Sequence, residues 1–560
     1  MERRKNKLFM RYIPVIMAVM LCAAGCGRAD SETAVQEGDP GFGMSDSETA
    51  VQEGDPGFGM SDSGAAGQEE AAGPEGETPE VAQEDGGGAP EITEDAQTLE
   101  KETAEGTEAA NETLETQAMQ TLTTEEAGSG NEGDGAGSEA GGEGLFSKAV
   151  LGDEQFDEYI PLLEGRRVAL FSNHTGIVGD KTDGTLDEGA TSGEDPTLIP
   201  FGKDTAGENI TYGQHILDAL IERGADVTAI FSPEHGFRGN EDAGESVSDS
   251  VDEKTGVPIL SLYSNDTVYP SEEDMSCFDV LVVDMQDVGL RYYTYYIGLY
   301  HLMDACASHD KEVIILDRPN PNGFYVDGPI LKEGYESGVG ELPIPVVYGM
   351  TWGELAGMIN GEGGLKAGKD ALKLTVIPCR NYTHWSKTAI IRNPSPNIKD
   401  MRAVYLYAST CFFEQTVCSV GRGTDHPFEI YGSPALKDVE GFDFSFTPKS
   451  MEGATEPPFE GEACYGRDLR DIPVSDIWEA GVDPGYILEA YEAYKKAIPE
   501  GDFFGKPDKK GRYWLDYLSG SDELRKQIMA GKSRQEIKAS WQEDIEAFRE
   551  QRAPYLLYEE

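Results

Sequence analysis

The folded part of this sequence is predicted to be α/β: a doubly wound, mostly parallel sheet followed by a smaller α/β (α+β) domain, behind a disordered acidic N-terminal tether. Three observations predict it. Short runs that are apolar throughout alternate with amphipathic stretches of helix length, the pattern of strands buried on both faces. Polar residues flanked by Gly and Pro gather just after those runs, where open parallel sheets place their ligands. The first 144 residues show neither feature.

Taken in order, Arg3, Arg4, Lys5, Lys7 and Arg11 form a basic leader, and Ile13 to Leu21 is uncharged and mostly apolar. That run is too short for a permanent span, so residues 1–25 read as a signal peptide. It ends Ala23-Ala24-Gly25-Cys26, which resembles a bacterial lipobox, although Ala23 stands where Leu is more usual. Cys26 is then the expected lipidation site. The chain is expected to be exported and lipid-anchored to the outer face of the cell membrane. The alternative is an ordinary secretory signal followed by a chance cysteine. No later segment approaches about 18 apolar residues, so the anchor is the only membrane contact expected.

Residues 26–144 are dominated by Glu, Gly, Ala, Thr and Ser, and Ser31–Asp46 is repeated unchanged as Ser47–Asp62. From Gly27 to Gly144 there are 31 acidic and two basic residues, which accounts for about half of the net charge of −59. Such a chain buries too little apolar surface to offset its ordering entropy. It reads as a flexible spacer with a root-mean-square span of roughly 60 Å, further extended by self-repulsion.

The remainder has globular composition and length enough for two domains, expected at 160–372 and 373–560. Its acidity argues against nucleic acid or polyanionic wall polymers as electrostatic ligands. Six cysteines lie in it: Cys277, Cys306, Cys379, Cys411, Cys418 and Cys464. None forms a Cys-x-x-Cys pair or a Cys/His cluster with metal spacing, so buried free thiols are at least as well supported as disulfides.

Arg167–Ser172, Asp226–Phe231, Val257–Tyr263, Phe278–Asp284 and Glu312–Asp317 read as strands. Tyr212–Arg223 and Tyr293–Ser308 read as helices between them. Four strand ends carry polar clusters. They are Asn173-His174-Thr175-Gly176, Pro233-Glu234-His235-Gly236-Phe237-Arg238-Gly239, Asp284-Met285-Gln286-Asp287-Val288-Gly289-Leu290-Arg291-Tyr292-Tyr293 and Asp317-Arg318-Pro319-Asn320-Pro321. In a parallel sheet these converge on one crevice. Each also has a structural reading. Asp287 and Arg291 could be a helix-start carboxylate paired one turn on. Asp317-Arg318-Pro319 could be loop scaffolding, and His174 and His235 could bond loop backbone. Glu234, after a strand and a proline and just before Gly236, is the hardest to explain structurally. There is no Gly-x-Gly-x-x-Gly after the first strand, no phosphate-binding Gly-x-x-x-x-Gly-Lys and no Gly-x-Ser-x-Gly elbow.

A predicted helix at Thr351–Asn360 and a predicted strand at Leu372–Pro378 lead to two further clusters. Pro394-Ser395-Pro396-Asn397 is a rigid turn. Glu414-Gln415-Thr416 followed by Ser419-Val420-Gly421-Arg422-Gly423-Thr424 sets a carboxylate, a guanidinium and hydroxyls beside two glycines. The tail alternates helical stretches with Gly-bounded loops. Its Tyr513, Trp514, Tyr517 and Trp541 read as packing residues.

With these motifs in this order, the chain resembles the NamZ-type exo-β-N-acetylmuramidases of bacteria, a glycoside hydrolase family long described only as a domain of unknown function. The likeness runs from about Val168 to the C-terminal region. It implies a Rossmann-like domain joined to a smaller one, with the site between them. It also implies release of terminal β-1,4-linked N-acetylmuramic acid from the non-reducing end of peptidoglycan fragments, with no metal or organic cofactor. The expected partners are therefore peptidoglycan-derived saccharides, with no nucleic acid and no protein partner.

Glycoside cleavage uses one carboxylic acid to protonate the leaving oxygen and a second as nucleophile or base. On this resemblance Glu234 is the expected acid, with His235 and Arg238 shaping its surroundings. Glu414, Asp287 and Asp284 compete as the second carboxylate, and retention versus inversion stays open. Asn173, Tyr292, Asp317, Arg318, Asn320 and Asn397 complete the expected binding set. Arg291 or Arg422 would hold the lactyl carboxylate in a two-point contact. The sequence departs from the family pattern in three places. Gln415 and Val417 replace the usual Gly and Asn of Glu-Gly-Thr-Asn. Tyr348 replaces a usual His before Gly-Met-Thr. An acidic insert near Asp180 to Asn209 lengthens the first strand–helix loop.

Overall fold

The computed structural model describes residues 149–179, 197, 201, 213–233, 237, 250–262, 269–390 and 392–560. The signal peptide, Cys26 and the repeat-bearing tether lie outside them, as does the 180–209 insert apart from Thr197 and Phe201. Strands β1 (Arg167–Ser172), β2 (Asp226–Ser232), β3 (Ser250–Val251), β4 (Pro258–Ser261), β5 (Val280–Asp284), β6 (Glu312–Leu316) and β7 (Lys373–Ile377) form one sheet in the order β3-β4-β2-β1-β5-β6-β7. Every neighbouring pair is parallel except β3 with β4. The two-residue edge strand β3 is an addition to the predicted set.

The chain winds outward from β1 through β2 and β4, then restarts beside β1 with β5. The winding direction therefore reverses between β1 and β5, which opens a crevice at their carboxyl ends. The register pairs Ser172 with Asp284, so the two strands finish level.

β1 shows why these runs become buried strands. Val168 and Leu170 join one apolar cluster with Tyr159, Leu163, Ile216 and Leu220. Ala169 and Phe171 join another with Phe278, Trp352 and Leu355, and Phe171 stacks on Trp352 with ring centres 6.2 Å apart. Both faces are thus covered, and each fully buried large aliphatic or Phe side chain contributes about 1.5–3 kcal/mol.

The helices around the sheet are α1 (Phe156–Leu163), α2 (Ile216–Glu222), α3 (Glu272–Ser276), α4 (Tyr295–Ser308) and α5 (Trp352–Gly361). Helix α2 begins later than the predicted Tyr212 because the His215 ring caps it, accepting the Leu217 N–H at 3.2 Å. Gly224, at φ 85°, stops it. Thr351 and Glu354 open α5 with a reciprocal capping box.

Beyond β7 come α6 (Met401–Thr410), a three-stranded antiparallel sheet of β8 (Ile430–Ser433), β9 (Phe444–Phe446) and β10 (Cys464–Asp468), and α7 (Val474–Ala480) to α12 (Gln542–Arg552). The predicted α/β class, with a mostly parallel sheet first, is what the structure shows. One apolar core runs from Phe171 through Phe413 to Trp541, and the described residues pack as one compact unit. The tail aromatics do pack on that core: Tyr517 and Trp541 are buried, and Tyr513 and Trp514 lie against it. The chain end then returns to the large sheet, where the Tyr558 hydroxyl donates to Asp317 Oδ2 at 2.5 Å.

Candidate active site

The loops after β1 and β5 are stitched together across the switch point. Asn173 Oδ1 accepts from the Thr175 N–H (2.9 Å) and hydroxyl (2.7 Å), and Thr175 Oγ1 accepts the Gln286 N–H at 3.0 Å. Gln286 then donates to the carbonyls of Asp287 and Pro319 at 2.8 and 2.9 Å. Asn173 is fully buried, and its Nδ2 has no hydrogen-bond partner among the described residues.

Asp287 follows on the β5 loop and is also buried. Its Oδ2 accepts the Gly289 N–H at 2.9 Å and the Tyr348 hydroxyl. Its Oδ1 has no partner among the described residues. Burial pushes this carboxyl up to about 6, against the opposing pull of the bonds from Tyr348 and Gly289. Gly289 sits at φ 74°, and a Cβ there would collide with the Asn320 side chain, so the turn that donates this N–H needs glycine. A cavity of about 10 Å³, room for about one water, is lined by Asp287, Met285, Asp317, Arg318, Asn320 and Trp352.

The β6 end is different. Arg318 is buried between two carboxylates, with Nε 2.6 Å from Asp284 Oδ1 and Nη2 2.6 Å from Asp153 Oδ2. Burial, with the neighbouring Asp284 charge adding to it, pushes Asp153 up to about 8 even though Arg318 opposes the shift. Asp317 accepts from Thr351 Oγ1 (2.7 Å), the Gly353 N–H (2.9 Å) and Tyr558. Asn320 donates to the Met350 carbonyl at 2.9 Å and accepts the Asn322 N–H at 2.8 Å.

Residues from the second half of the chain lie over this edge. His174 Nε2 bonds the Asn393 carbonyl at 2.7 Å, and the Tyr293 hydroxyl donates to the Pro394 carbonyl at 2.6 Å. Asn397 is buried and donates to the Gly453 carbonyl at 2.6 Å. Glu414 and Arg422 form a half-buried pair at 2.7 Å. Aromatic contacts link that pair to the β5 loop. The Arg422 guanidinium lies 5.2 Å from the Phe428 ring centre, Phe428 lies 4.4 Å from Tyr407, and Tyr407 lies 5.2 Å from Tyr292.

Three expected residues, Glu234, His235 and Arg238, lie outside the described residues. Their segment is flanked by two that are described: Pro233 is buried, and Phe237 packs edge-on against His215 with ring centres 4.9 Å apart.

Several expectations need correction. Arg291 does not offer its guanidinium to a ligand. It is fully buried and donates to the carbonyls of Pro329, Ile344 and Leu518, each at 2.7 Å, where a Lys could not reach three acceptors in one plane. Nor is it the one-turn partner of Asp287. Tyr292 donates its hydroxyl to the carbonyls of Tyr407 and Ala408. Asp317 and Asn320 are likewise saturated by their own chain, as loop scaffolding is. Asp284 and Arg318 are spent on each other and on Asp153.

Sequence reasoning missed two residues that shape the site. His215 bonds the Asn173 carbonyl at 2.9 Å while capping α2. Asp153 precedes the expected domain and carried no motif. The six later cysteines are all free thiols, and among the described residues no group of three or more His, Cys, Asp or Glu is placed to hold a metal ion.

Comparison with known proteins gives a consistent result. Residues 204–402 match the family model described as exo-beta-N-acetylmuramidase NamZ, N-terminal, and residues 405–558 match its C-terminal counterpart. The peptidoglycan beta-N-acetylmuramidase NamZ of Bacillus subtilis (strain 168) is 35% identical over 349 residues, covering 59% of this chain and 80% of that protein. A crystal structure of a DUF1343 family protein from Bacteroides fragilis NCTC 9343 is similar at a TM-score of 0.61 with 46% identity, covering 74% of this chain and all of that one. A second DUF1343 protein from the same strain gives 0.57 and 26%, covering 74% of this chain and 99% of that one.

Proposed function

The chain belongs to the NamZ exo-beta-N-acetylmuramidase family, and from that premise we propose that it is a peptidoglycan-directed glycosidase that releases terminal non-reducing β-1,4-linked N-acetylmuramic acid from wall fragments. The observation that carries the reading is the partly unsatisfied polar edge at the β1/β5 switch point, with Asn173 Nδ2 and Asp287 Oδ1 buried and without a partner among the described residues. Buried polar groups are almost always paired within the protein, by water or by a ligand. Glu234 is the acid that protonates the leaving oxygen, on the strength of its place between the end of β2 and Phe237. Of the three competing second carboxylates, Asp284 is bound to Arg318 through both oxygens and drops out. Asp287 is the better base, because one oxygen has no partner among the described residues and burial holds its ionisation near the range useful to general base catalysis. The Glu414–Arg422 pair then faces substrate. Export, lipidation at Cys26 and a role in wall turnover fit this activity, since an anchored enzyme would work beside the wall.

A second reading is hydrolysis of a different amino-sugar glycan. It is favoured by the fate of the two guanidiniums expected to hold the lactyl carboxylate. Arg291 is buried on backbone carbonyls, and Arg422 is already paired with Glu414. The test incubates the purified chain, with Glu234→Gln, Asp287→Asn and Glu414→Gln variants, with MurNAc-β-1,4-GlcNAc and with the same disaccharide lacking the lactyl group. Free monosaccharide is followed by mass spectrometry. Release of MurNAc that falls by about 10²–10⁴-fold in Glu234→Gln supports the first reading. Release only from the lactyl-free disaccharide supports the second, and tight binding without release would make the chain a carbohydrate-binding lipoprotein.

A further inference from the structure

Tyr348 is among the most completely buried side chains of the molecule, and its backbone is pinned on both sides. Val347 exchanges two backbone hydrogen bonds with Asp327, at 2.9 and 3.1 Å. Gly349 follows at φ 59°, with the Tyr325 carbonyl so close that a Cβ could not fit. The ring of Tyr296 lies 6.4 Å away on α4. A phenol held this firmly delivers its hydroxyl to one place, Asp287 Oδ2. The Gly289 N–H reaches the same oxygen at 2.9 Å. Among the described residues Asp287 Oδ1 is thereby left without a donor, while the side chain lines the water-sized cavity. The indole N–H of Trp352, in the wall of the same cavity, is also buried and has no close partner among the described residues, though its side chain also favours the Asp287 carboxylate.

We infer that Tyr348 is a positioning residue for Asp287: its hydroxyl fixes one carboxylate oxygen, keeps the acid ionised in a desolvated site, and reserves the other oxygen for a water or substrate hydroxyl. The inference rests on the proposed role of Asp287 as the second carboxylate. It gives a task to a residue that departs from the family's usual His. A phenol is neutral at the pH where Asp287 titrates, so it stabilises the carboxylate as a hydrogen-bond donor without adding a second charge change. The other titratable or charged groups around Asp287 are Tyr293, ahead of α4, and Asp317 and Arg318 of the β6 loop. Tyr293 is raised well above the ordinary phenol range by burial first and by Tyr295 and Asp287 after it. Arg318 is already committed to Asp153 and Asp284. Tyr348 therefore makes the close side-chain hydrogen bond to Asp287, and the Trp352 indole nearby adds a smaller pull in favour of the ionised carboxylate.

The test compares wild type, Tyr348→Phe and Tyr348→His in two measurements on the whole chain. One is the pH profile of kcat/KM for sugar release. The other is the titration of the Asp287 carboxyl band by infrared difference spectroscopy, with the band assigned by its loss in Asp287→Asn. Phe keeps the packing and removes the donor. The acidic limb and the carboxyl titration should both move upward by about one pH unit, since a lost hydrogen bond to a charged group is worth at least that much. Tyr348→His, which restores an N–H donor, should move both back down. An unchanged limb and an unchanged titration in Tyr348→Phe, with activity merely scaled at every pH, would overturn the inference. A shifted titration in a chain that releases no sugar would leave the inference standing and remove the proposed activity. If the Phe variant does not fold, a Tyr348→His titration no different from wild type supports the role, and one displaced upward overturns it.

Discussion

The β6 end and the β1/β5 end of the sheet are alike in sequence and opposite in what they do with their polar atoms. Both follow an apolar strand with Asp, Asn and turn residues. At the β6 end, Asp317 accepts three hydrogen bonds from Thr351, Gly353 and Tyr558, and Arg318 is gripped by two carboxylates. Only 30 residues before Asp317, the β5 loop leaves Asp287 Oδ1 without a partner among the described residues, and Asn173 Nδ2 at the end of β1 is in the same position. The contrast teaches a criterion. At this edge, polar groups saturated by their own chain brace the fold, whereas the carboxylate and amide left with spare capacity are where water or a ligand can bind.

The largest expected effect separates the two ends directly. Asp284→Ala leaves Arg318 buried with Asp153 alone and a cavity beside it. Breaking such a pair destabilises by about 3–5 kcal/mol. Asp287→Asn should act in the reverse sense. Its folded carboxyl titrates near 6, above the ordinary value, so above about pH 6 the ionised acid costs stability that a neutral amide would not. That variant should unfold at higher urea than wild type at neutral pH, while its turnover falls by about 10²–10⁴-fold. Paired urea titrations and rate measurements decide it. Comparable stability losses in both variants would erase the distinction.

Next in size is the pH response of the β6 brace. Asp153 titrates near 8 in the folded state against 3.8 as its ordinary value. A folded pKa that is raised means the folded state holds the proton more tightly. The stabilisation is therefore complete below about 4 and is lost as pH rises towards 8. Asp153→Asn, which cannot ionise, should flatten this fall in urea midpoint between those limits. A slope equal to that of wild type would mean that Asp153 is already ionised.

A buried His384 adds a smaller term of the same sign. It donates to Glu354 at 3.0 Å, and hydrogen bonds to Glu354 and the Gly323 carbonyl raise it above the ordinary imidazole value, although burial opposes them. Its contribution is present below the ordinary value and is lost as pH rises through the folded one. His384→Gln should remove that component from the stability profile.

How much of this was legible in the sequence follows from the same criterion. Strand runs such as Val280–Asp284 were plain, because burial on both faces writes itself as an unbroken apolar string. The gathering of the polar clusters after β1, β5 and β6 at the carboxyl edge was legible for the same reason. What was not legible is saturation. Arg291 looked like a carboxylate clamp because a guanidinium reads the same whether it meets a ligand or three carbonyls from residues up to 227 positions away. Asp153 and His215 were missed because their partners, Arg318 and Asn173, lie 165 and 42 residues along the chain. Composition and spacing carry no record of such contacts. The departure at Tyr348 was visible, but its meaning required the position of Asp287.

The smallest expected effect concerns a departure of the same kind at Gln415, beside Glu414. The backbone there lies at φ 59°, the left-handed region that costs an ordinary residue about 1 kcal/mol and costs glycine nothing. The family resemblance implies Gly at this position, and the sequence places a side chain where the turn asks for none. The next residues show why the turn itself is kept. Thr416 N–H returns to the Phe413 carbonyl at 3.0 Å, Val417 N–H reaches the Phe503 carbonyl at 3.0 Å, and Glu414 is left facing Arg422. Gln415→Gly should therefore raise stability by up to about 1 kcal/mol, less the entropy that glycine adds to the unfolded chain. If turnover is unchanged as well, the side chain at 415 does nothing for the site and the strain is simply carried. If turnover or substrate choice changes while stability rises, the strain is kept for function, as strained residues beside active sites often are. In that case the Glu414 loop, although one Glu414 oxygen is paired with Arg422, works with the β1/β5 edge as proposed for substrate contact and not as a brace like that at β6.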